Sequence, residues 1–391
     1  MDLVVVNWGS PRWLYHNQSD TTFTRIATGP LVNDVTEASG AAWADYDGDG
    51  DLDLFVPNCL MGPNVPKRNS LYRNEGGGTF TAVTTGHPGE EASLNFSGAW
   101  GDYDNDGNLD LYVCYGYNDR GNFLFQNNGD GTFTKITSGV VLSSKGAASA
   151  AWGDYDNDGC LDLFLAGGIL GNRYYHNSGD GTFTQAFGEP GTAIPYEAAA
   201  GCDWGDYDDD GFLDLFVANG VIWPGQTKRT SNFLYHNEGN ANRWLKVKLE
   251  GTVSNRAAIG AKVRVRAALG GTTMWQLREV GVGHSGSGAI LLPHFGLRDA
   301  DKADVVRIEW PSGIVQELRD VSVDQTVTIT EPPRLEALGI GRISIRCRKG
   351  QKFEVEVSND LLTWTSLGLA TNEAGTLEVA DPDAGNHPYR F

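Results

Sequence analysis

Four times the chain repeats one nine-residue acidic loop: DYDGDGDLD from Asp45, DYDNDGNLD from Asp102, DYDNDGCLD from Asp154 and DYDDDGFLD from Asp206. Each copy places Asp at positions 1, 3, 5 and 9 and Gly at position 6, where a left-handed backbone can wrap the loop around an ion. The candidate ligands are Asp45, Asp47, Asp49 and Asp53; Asp102, Asp104, Asp106 and Asp110; Asp154, Asp156, Asp158 and Asp162; and Asp206, Asp208, Asp210 and Asp214. A metal-free turn tolerates Asn, Ser or Lys at such positions, yet all sixteen are Asp. Without a cation each loop holds at least four like charges close together, which is costly. Hard oxygen ligands at this density suit Ca²⁺, about one ion per loop and four in all. Position 7 is expected to contribute its main-chain carbonyl, which frees its side chain to vary among Asp51, Asn108, Cys160 and Phe212. Cys160 is then no thiolate ligand.

The start of the loop matches a helix-flanked EF-hand loop, and position 12 decides against that setting. An EF-hand needs a bidentate Glu there, whereas these copies carry Val56, Val113, Leu165 and Val217. Each loop runs straight into a short β-branched and aromatic segment, LDLFV, LDLYV, LDLFL or LDLFV, the signature of a strand. The loops start 57, 52 and 52 residues apart, close to the range of propeller blades or solenoids. Two residues before each loop stands a tryptophan (Trp43, Trp100, Trp152, Trp204), preceded by small residues such as Ala41, Ala42, Gly98, Ala99, Ala150 and Ala151. That pattern predicts a crowded inner strand. After the loop strand comes a third strand (WLYHN, SLYRN, FLFQN, YYHN, FLYHN), then a Gly-rich turn such as NNGDGTF opening a fourth. Four short antiparallel strands per period make one blade. The chain is thus expected to enter at strand 2 of one blade, to contain three complete blades, and to supply strands 1 to 3 of a fifth.

Charge follows the same division. Of 50 acids and 30 bases, residues 1–242 carry 32 and 11, residues 243–330 carry 9 and 12, and the rest 9 and 7. The acidity belongs to the repeats, and an acidic repeat region argues against nucleic acid as a partner. No stretch of about 20 apolar residues is present, so no membrane insertion is expected. The five cysteines, Cys59, Cys114, Cys160, Cys202 and Cys347, show no CxxC pair. Asp2 fits position 9 of a further acidic loop, and NHPYRF ends the chain in strand-like sequence, so a fragment truncated at both ends is expected, its signal peptide lost with the N-terminus.

The loops and strands over about residues 2–240 resemble the FG-GAP or VCBS repeats of integrin-like β-propellers. That resemblance implies an all-β propeller, usually of seven blades, of which about five are represented here. From Arg243 the acidic loops stop and RWLKVKLEGTVSNRAAIGAKVRVRA begins. With REVGVGHSGSG, HFGLRDADKADVVRIEWPSG and VDQTVTITEP, this segment resembles the ASPIC/UnbV domain that follows such repeats in the cartilage acidic protein family and its bacterial relatives. Its alternating strands predict a β-sandwich. HSGSGAILLP departs from the aromatic, polar stretch expected at that place. After Pro332 and Pro333, KFEVEVSNDLLTWTSLG is similar to a small β-sandwich module common on bacterial secreted proteins. The expected domains are a propeller region at 1–242, an ASPIC/UnbV-like sandwich at 243–332 and a small truncated sandwich module at 333–391.

Catalytic readings find little support in the residues. His16, His176 and His236 share the repeat slot that holds Arg73 and Gln126 in other blades, so they read as scaffold. His294 lies in HFGL without an evident partner. GHSGSG around Ser285 approaches a nucleophile elbow but puts Ser287 where Gly is needed. The connections between strands 2 and 3 are long and fall on the face opposite the acidic loops, where binding residues often reside. Lys67, Arg68, Tyr117, Trp223, Lys228 and Arg229 are the candidates for partner contact, with Trp223 packing under its own loop as the bland alternative. The expectation is an extracellular or cell-surface calcium-stabilised propeller that binds or adheres to a protein or glycan, and no enzyme. The rivals are a propeller enzyme acting on polysaccharide or a biosynthetic intermediate, and a passive spacer.

Overall fold

Each acidic loop joins the first two strands of an antiparallel sheet, because the loop's left-handed turns reverse the chain exactly where the apolar strand residues resume. The computed structural model describes residues 2–18, 22–59, 68–89, 95–116, 121–143, 146–167, 171–186, 199–220, 231–281, 291–339, 342–358 and 362–382. Three complete four-stranded blades follow one another: Ala42–Ala44, Asp53–Val56, Ser70–Asn74 and Phe80–Val83; Asn95–Gly101, Asp110–Tyr115, Phe123–Asn127 and Phe133–Ile136; Ser149–Gly153, Asp162–Ala166, Arg173–Asn177 and Phe183–Ala186. A three-stranded sheet precedes them (Leu3–Val5, Trp13–Asn17, Phe23–Ile26), and another follows (Ala199–Gly205, Asp214–Asn219, Phe233–Tyr235). The blades are numbered 1 to 5 below. Their strand inventory is the one the repeat predicts.

The hydrophobic core of this region lies between blades rather than inside them. Ala99, Tyr112 and Leu124 of blade 3 pack against Trp152, Leu163 and Tyr175 of blade 4, and corresponding residues join blades 1 to 2, 2 to 3 and 4 to 5. The tryptophan before each loop is the wedge at these junctions. Trp152 donates its indole N–H to the Ala99 carbonyl and Trp204 to that of Ala151. The small residues of the inner strand answer to these rings: a Cβ on Gly153 would lie 2.6 Å from Trp204. Tyr at loop position 2 completes the wedge, with Tyr46 stacked on Trp100 and Tyr103 on Trp152. The same positions are open at the two ends of the series. Leu3 in blade 1 and Phe216 and Leu234 in blade 5 are 50%, 42% and 55% exposed, while their counterparts Leu54, Phe164 and Leu71 are buried.

From Arg243 the sheets are of another kind. Arg243–Glu250 pairs antiparallel with His294–Arg298 and parallel with Gln325–Thr330, and Thr272–Glu279, Lys262–Leu269, Lys302–Glu309 and Val315–Ser322 form a facing four-stranded sheet. Alternate residues of both sheets, among them Leu245, Val247, Val263, Val265, Phe295, Val306 and Ile308, make one shared core, as a sandwich requires. Glu331 ties its edge: the carboxylate accepts from the backbone N–H groups of Thr252, Val253 and Ser254 and from the Ser254 and Ser312 hydroxyls. Beyond it lie a three-stranded sheet (Arg334–Gly339, Arg342–Arg346, Thr376–Ala380) and the pair Lys352–Val357 and Thr365–Thr371.

Candidate metal-loop face

The acidic loops share one backbone course. Position 4 is left-handed in all four, with φ of 77° at Gly48, 57° at Asn105, 58° at Asn157 and 62° at Asp209, and position 6 is left-handed at Gly50, Gly107, Gly159 and Gly211. Gly, Asn and Asp are the residues that tolerate this region best, which explains the restriction at position 4. The winding turns the carboxylates inward. Ligand oxygens of Asp45, Asp47 and Asp53 lie within 4.8 Å of one another, as do those of Asp102, Asp104 and Asp110, and those of Asp154, Asp156 and Asp162. In the fourth loop Asp208 and Asp214 meet His236 in the same way. The fifth-position carboxylates of Asp49, Asp106, Asp158 and Asp210 accept the N–H two residues on, which shapes the turn before position 7.

These residues fit a cation on two grounds. Among the described residues, Asp45 Oδ1 and Asp102 Oδ1 are buried without any hydrogen-bond donor. Burial, and then neighbouring carboxylates, raise Asp53 to about 8, and burial with Asp106 and Asp104 raises Asp102 to about 7 against the pull of Arg278. Buried carboxylates pushed this way need a positive partner to ionise. The all-oxygen donor sets of the first two loops match a hard cation such as Ca²⁺ rather than a thiophilic metal, while in the third and fourth loops His176 and His236 also come within reach of the carboxylates.

Two further sets of residues belong to these loops, and the sequence reading missed both. An Asn at or just past the end of strand 3 recurs as Asn74, Asn127, Asn177 and Asn237. Its N–H donates to the ninth-position carboxylate, as Asn177 does to Asp162 Oδ1 at 2.8 Å. Its side chain also crosses to the preceding blade: Asn127 Nδ2 donates to the Tyr46 carbonyl, Asn177 Nδ2 to Tyr103 and Asn237 Nδ2 to Tyr155. The signal was there, an Asn closing every third strand. The residue just before it, read as scaffold, also reaches its loop. His176 Nδ1 lies 3.1 Å from Asp162 Oδ1, His236 Nδ1 3.3 Å from Asp214 Oδ1, and Gln126 Nε2 donates to Asp104 Oδ2. Hydrogen bonding to Asp162 lifts His176 to about 9 against the effect of burial.

The second set comes from the sandwich, which sits on the loop face. Lys262 Nζ lies 2.7 Å from Asp45 Oδ2, and Lys246 Nζ lies 2.7 Å from Asp206 Oδ2. The Gly296 N–H donates to Asp154 Oδ2 at 3.1 Å, and the buried Arg278 carries its charge toward Asp102 and Asp154. Main-chain groups of the loops are held as well: Arg264 Nη1 donates to Gly107 O, His294 Nε2 lies 3.0 Å from Gly211 O, and the Arg298 N–H donates to Asn157 O. His294 therefore has a structural place. Burial is the main cause that lowers it to about 4. Leu269 and Trp244 press on the sixth-position glycines, where a Cβ would come to 2.4 Å and 1.9 Å respectively.

Between the inner strands and the sandwich lies a cavity of about 350 Å³, lined by Trp152, Trp204, Asp203, Arg278, Glu279 and His294 among others. Glu279 Oε1 and His294 Nδ1 there are buried without a partner. Of the partner-contact candidates, Lys67, Tyr117, Trp223, Lys228 and Arg229 lie outside the described residues, as do Ser285 and Ser287. Arg68 is exposed, and its carbonyl accepts from Asn58 Nδ2 at 2.6 Å. All five cysteines are free and buried.

Bladed sheets joined by interblade cores, with acidic loops in register, define a propeller-like all-β repeat protein. Residues 1–56, 59–113, 112–165 and 154–217 match the FG-GAP-like repeat family and residues 251–336 match the ASPIC and UnbV domain, so the chain belongs to the FG-GAP-like repeat family and carries an ASPIC/UnbV domain. It is similar to Cartilage acidic protein 1 of Xenopus tropicalis, 28% identical over 301 residues that cover 74% of this chain and 41% of the relative. The mouse protein of the same name, from Mus musculus, is 28% identical over 303 residues, 74% of this chain and 44% of the relative. The chain thus spans less than half the length of these relatives. Among solved structures, the V. cholerae biofilm matrix protein Bap1 aligns at 11% identity with a TM-score of 0.29, over 97% of this chain and 68% of that one. A mutant of AofleA from Arthrobotrys oligospora aligns at 11% identity with a TM-score of 0.28, over 84% and 86%. No helix among the described residues is long and apolar enough to cross a membrane.

Proposed function

We propose that the chain is an extracellular calcium-binding β-propeller module that binds or adheres to a protein or glycan and performs no catalytic step. The observation that carries the calcium reading is the pair of buried, donorless oxygens Asp45 Oδ1 and Asp102 Oδ1 beside the third- and ninth-position carboxylates of the same loops. In this reading positions 1, 3, 5 and 9 supply carboxylates and position 7 a carbonyl, about four ions in all. A bound divalent cation supplies the charge that lets these buried carboxylates ionise together. Extracellular calcium modules typically have dissociation constants of about 10⁻⁴ to 10⁻³ M, so millimolar Ca²⁺ would fill and stabilise the loops. With the sandwich seated on the loop face, the opposite face of the blades is left for a partner, which supports the placement of binding there.

The test has two parts. Thermal unfolding with chelator and with millimolar Ca²⁺ should differ, with a higher midpoint in Ca²⁺; equal midpoints would sink the calcium reading. Glycan and extracellular-protein arrays should then give a specific signal that alanine at Arg68, Trp223, Lys228 and Arg229 abolishes. A signal that survives those substitutions moves the binding surface elsewhere, and no signal favours a spacer.

One observation supports the enzyme alternative. Asp203 replaces the Ala that the other inner strands place before the tryptophan, and it shares the cavity with Arg278, Glu279 and His294. Ionisable groups specific to one blade are what a propeller enzyme would need. Turnover of a polysaccharide library that Asp203→Ala and Glu279→Gln abolish would establish it.

A further inference from the structure

We propose that Lys246, Lys262 and the Gly296 N–H, all supplied by the sandwich, are positioning groups for the metal loops, so that cation binding and seating of the sandwich reinforce each other. The proposal rests on the calcium reading above and goes beyond it, because none of these groups lies in a repeat.

One oxygen of the first-position carboxylate is held in a consistent way. In each loop Oδ2 accepts the N–H of the loop's own sixth residue: Gly50 at 2.8 Å, Gly107 at 3.2 Å, Gly159 at 2.9 Å and Gly211 at 2.8 Å. The same oxygen also takes the sandwich donor, Lys262 on Asp45, Gly296 on Asp154 and Lys246 on Asp206. In the second loop the sandwich reaches the backbone instead, Arg264 Nη1 donating to the Gly107 carbonyl at 3.1 Å. Among the described residues Oδ1 of Asp45 and of Asp102 receives no donor, whereas Oδ1 of Asp154 and of Asp206 accepts the N–H of Asp158 and of Asp210 at 3.0 and 3.1 Å. In the first two loops one oxygen is anchored, then, and the other is left for the ion. Groups that orient a metal ligand from behind commonly change affinity 10- to 100-fold.

Backbone contacts couple the two events a second time. The carbonyls of Gly107, Asn157 and Gly211 meet the sandwich only while each loop keeps its left-handed winding. An ion that gathers the carboxylates holds that winding, and by reciprocity the seated sandwich must favour the ion.

Repulsion between the ammonium groups and a bound divalent ion opposes this. Four carboxylates outweigh two positive charges, however, and a loaded loop keeps net negative charge for Lys262 or Lys246 to meet. Attraction therefore remains, and the linkage is positive.

The experiment uses the full chain, stripped with chelator and titrated calorimetrically with CaCl₂. Wild type is compared with the double variant Lys246→Met/Lys262→Met, and with Trp244→Ala, which loosens the packing on Gly211 without changing charge. Hydrogen exchange of strands 262–269 and 272–279 is followed in wild type with and without Ca²⁺. The expected result is weaker binding by about 10-fold in both variants, and slower exchange of both strands in Ca²⁺. Wild-type binding with unchanged or tighter variants, or exchange indifferent to Ca²⁺, overturns the linkage while leaving the calcium reading intact. A wild type that binds no Ca²⁺ overturns both.

Discussion

Lys262 Nζ lies 2.7 Å from Asp45 Oδ2, a contact between the sandwich and the first acidic loop in which both side chains are largely removed from solvent. Glu279, a neighbour of Lys262 across the strand pair, accepts the Asp45 N–H from the same direction. A buried residue whose carboxylate and N–H are both held by another domain is a part of the interface as much as of the loop. Breaking such a pair strands a charge, so the excess acid of the repeats is met from outside the repeats.

Asp154→Asn should remove one ion from the binding stoichiometry, because it takes charge and a hard ligand from a buried first position. Cys160→Ser, one residue beyond the loop glycine, should leave the stoichiometry unchanged if position 7 contributes only its carbonyl. Calorimetric counting of Ca²⁺ bound to each variant checks both outcomes.

Asn177→Ala should destabilise the protein by about 2–4 kcal/mol, since its fully buried amide joins the Tyr103 and Leu161 carbonyls at 2.7 and 3.0 Å across two blades. Asn74→Ala removes an amide that bonds Leu52 O at 3.1 Å within its own blade, and should cost less. Urea unfolding of the two variants, compared with wild type, measures the difference.

His294 should make the protein acid-sensitive. Its folded-state pKa, lowered to about 4 chiefly by burial, lies below the ordinary value of 6.5. The unfolded chain therefore takes up a proton first as pH falls, and the stability this histidine contributes is full above 6.5 and declines from there toward 4. The loss by pH 4.5 is about 2–3 kcal/mol. Unfolding free energies at pH 7.5 and 4.5 should show that much less pH dependence in His294→Gln than in wild type.

Gly153→Ala should cost about 1–3 kcal/mol although alanine favours strands over glycine, because the new methyl meets Trp204 at 2.6 Å. Trp204 fluorescence should shift with it as the ring is displaced. An unchanged midpoint and spectrum would show that the blade junction can yield.

Much of the molecule was legible along the chain because its information is local. The interval between acidic loops, the apolar position 12 and the strand-length runs after each loop specify antiparallel blades, and the strand count at either end came with them. The clustering of the carboxylates was equally legible, since one loop holds them within nine residues. The small inner-strand residues were legible as crowding, but what crowds them is the next blade's tryptophan. The closing Asn of strand 3 recurred openly in the sequence, yet its reach into the preceding blade depends on how the sheets stack.

Sequence alone determined the repeat, the strand order within a blade and the clustered carboxylates of each loop, because those follow from turns and periods a few residues long. Only the tertiary structure decided what the loop face meets. Lys246, Lys262 and Arg264 sit in alternating strands, and nothing within a strand distinguishes a lysine facing water from one facing another domain. That choice belongs to the packing of two folded units, in which Lys262 meets Asp45, Lys246 meets Asp206, and His294 closes on Gly211.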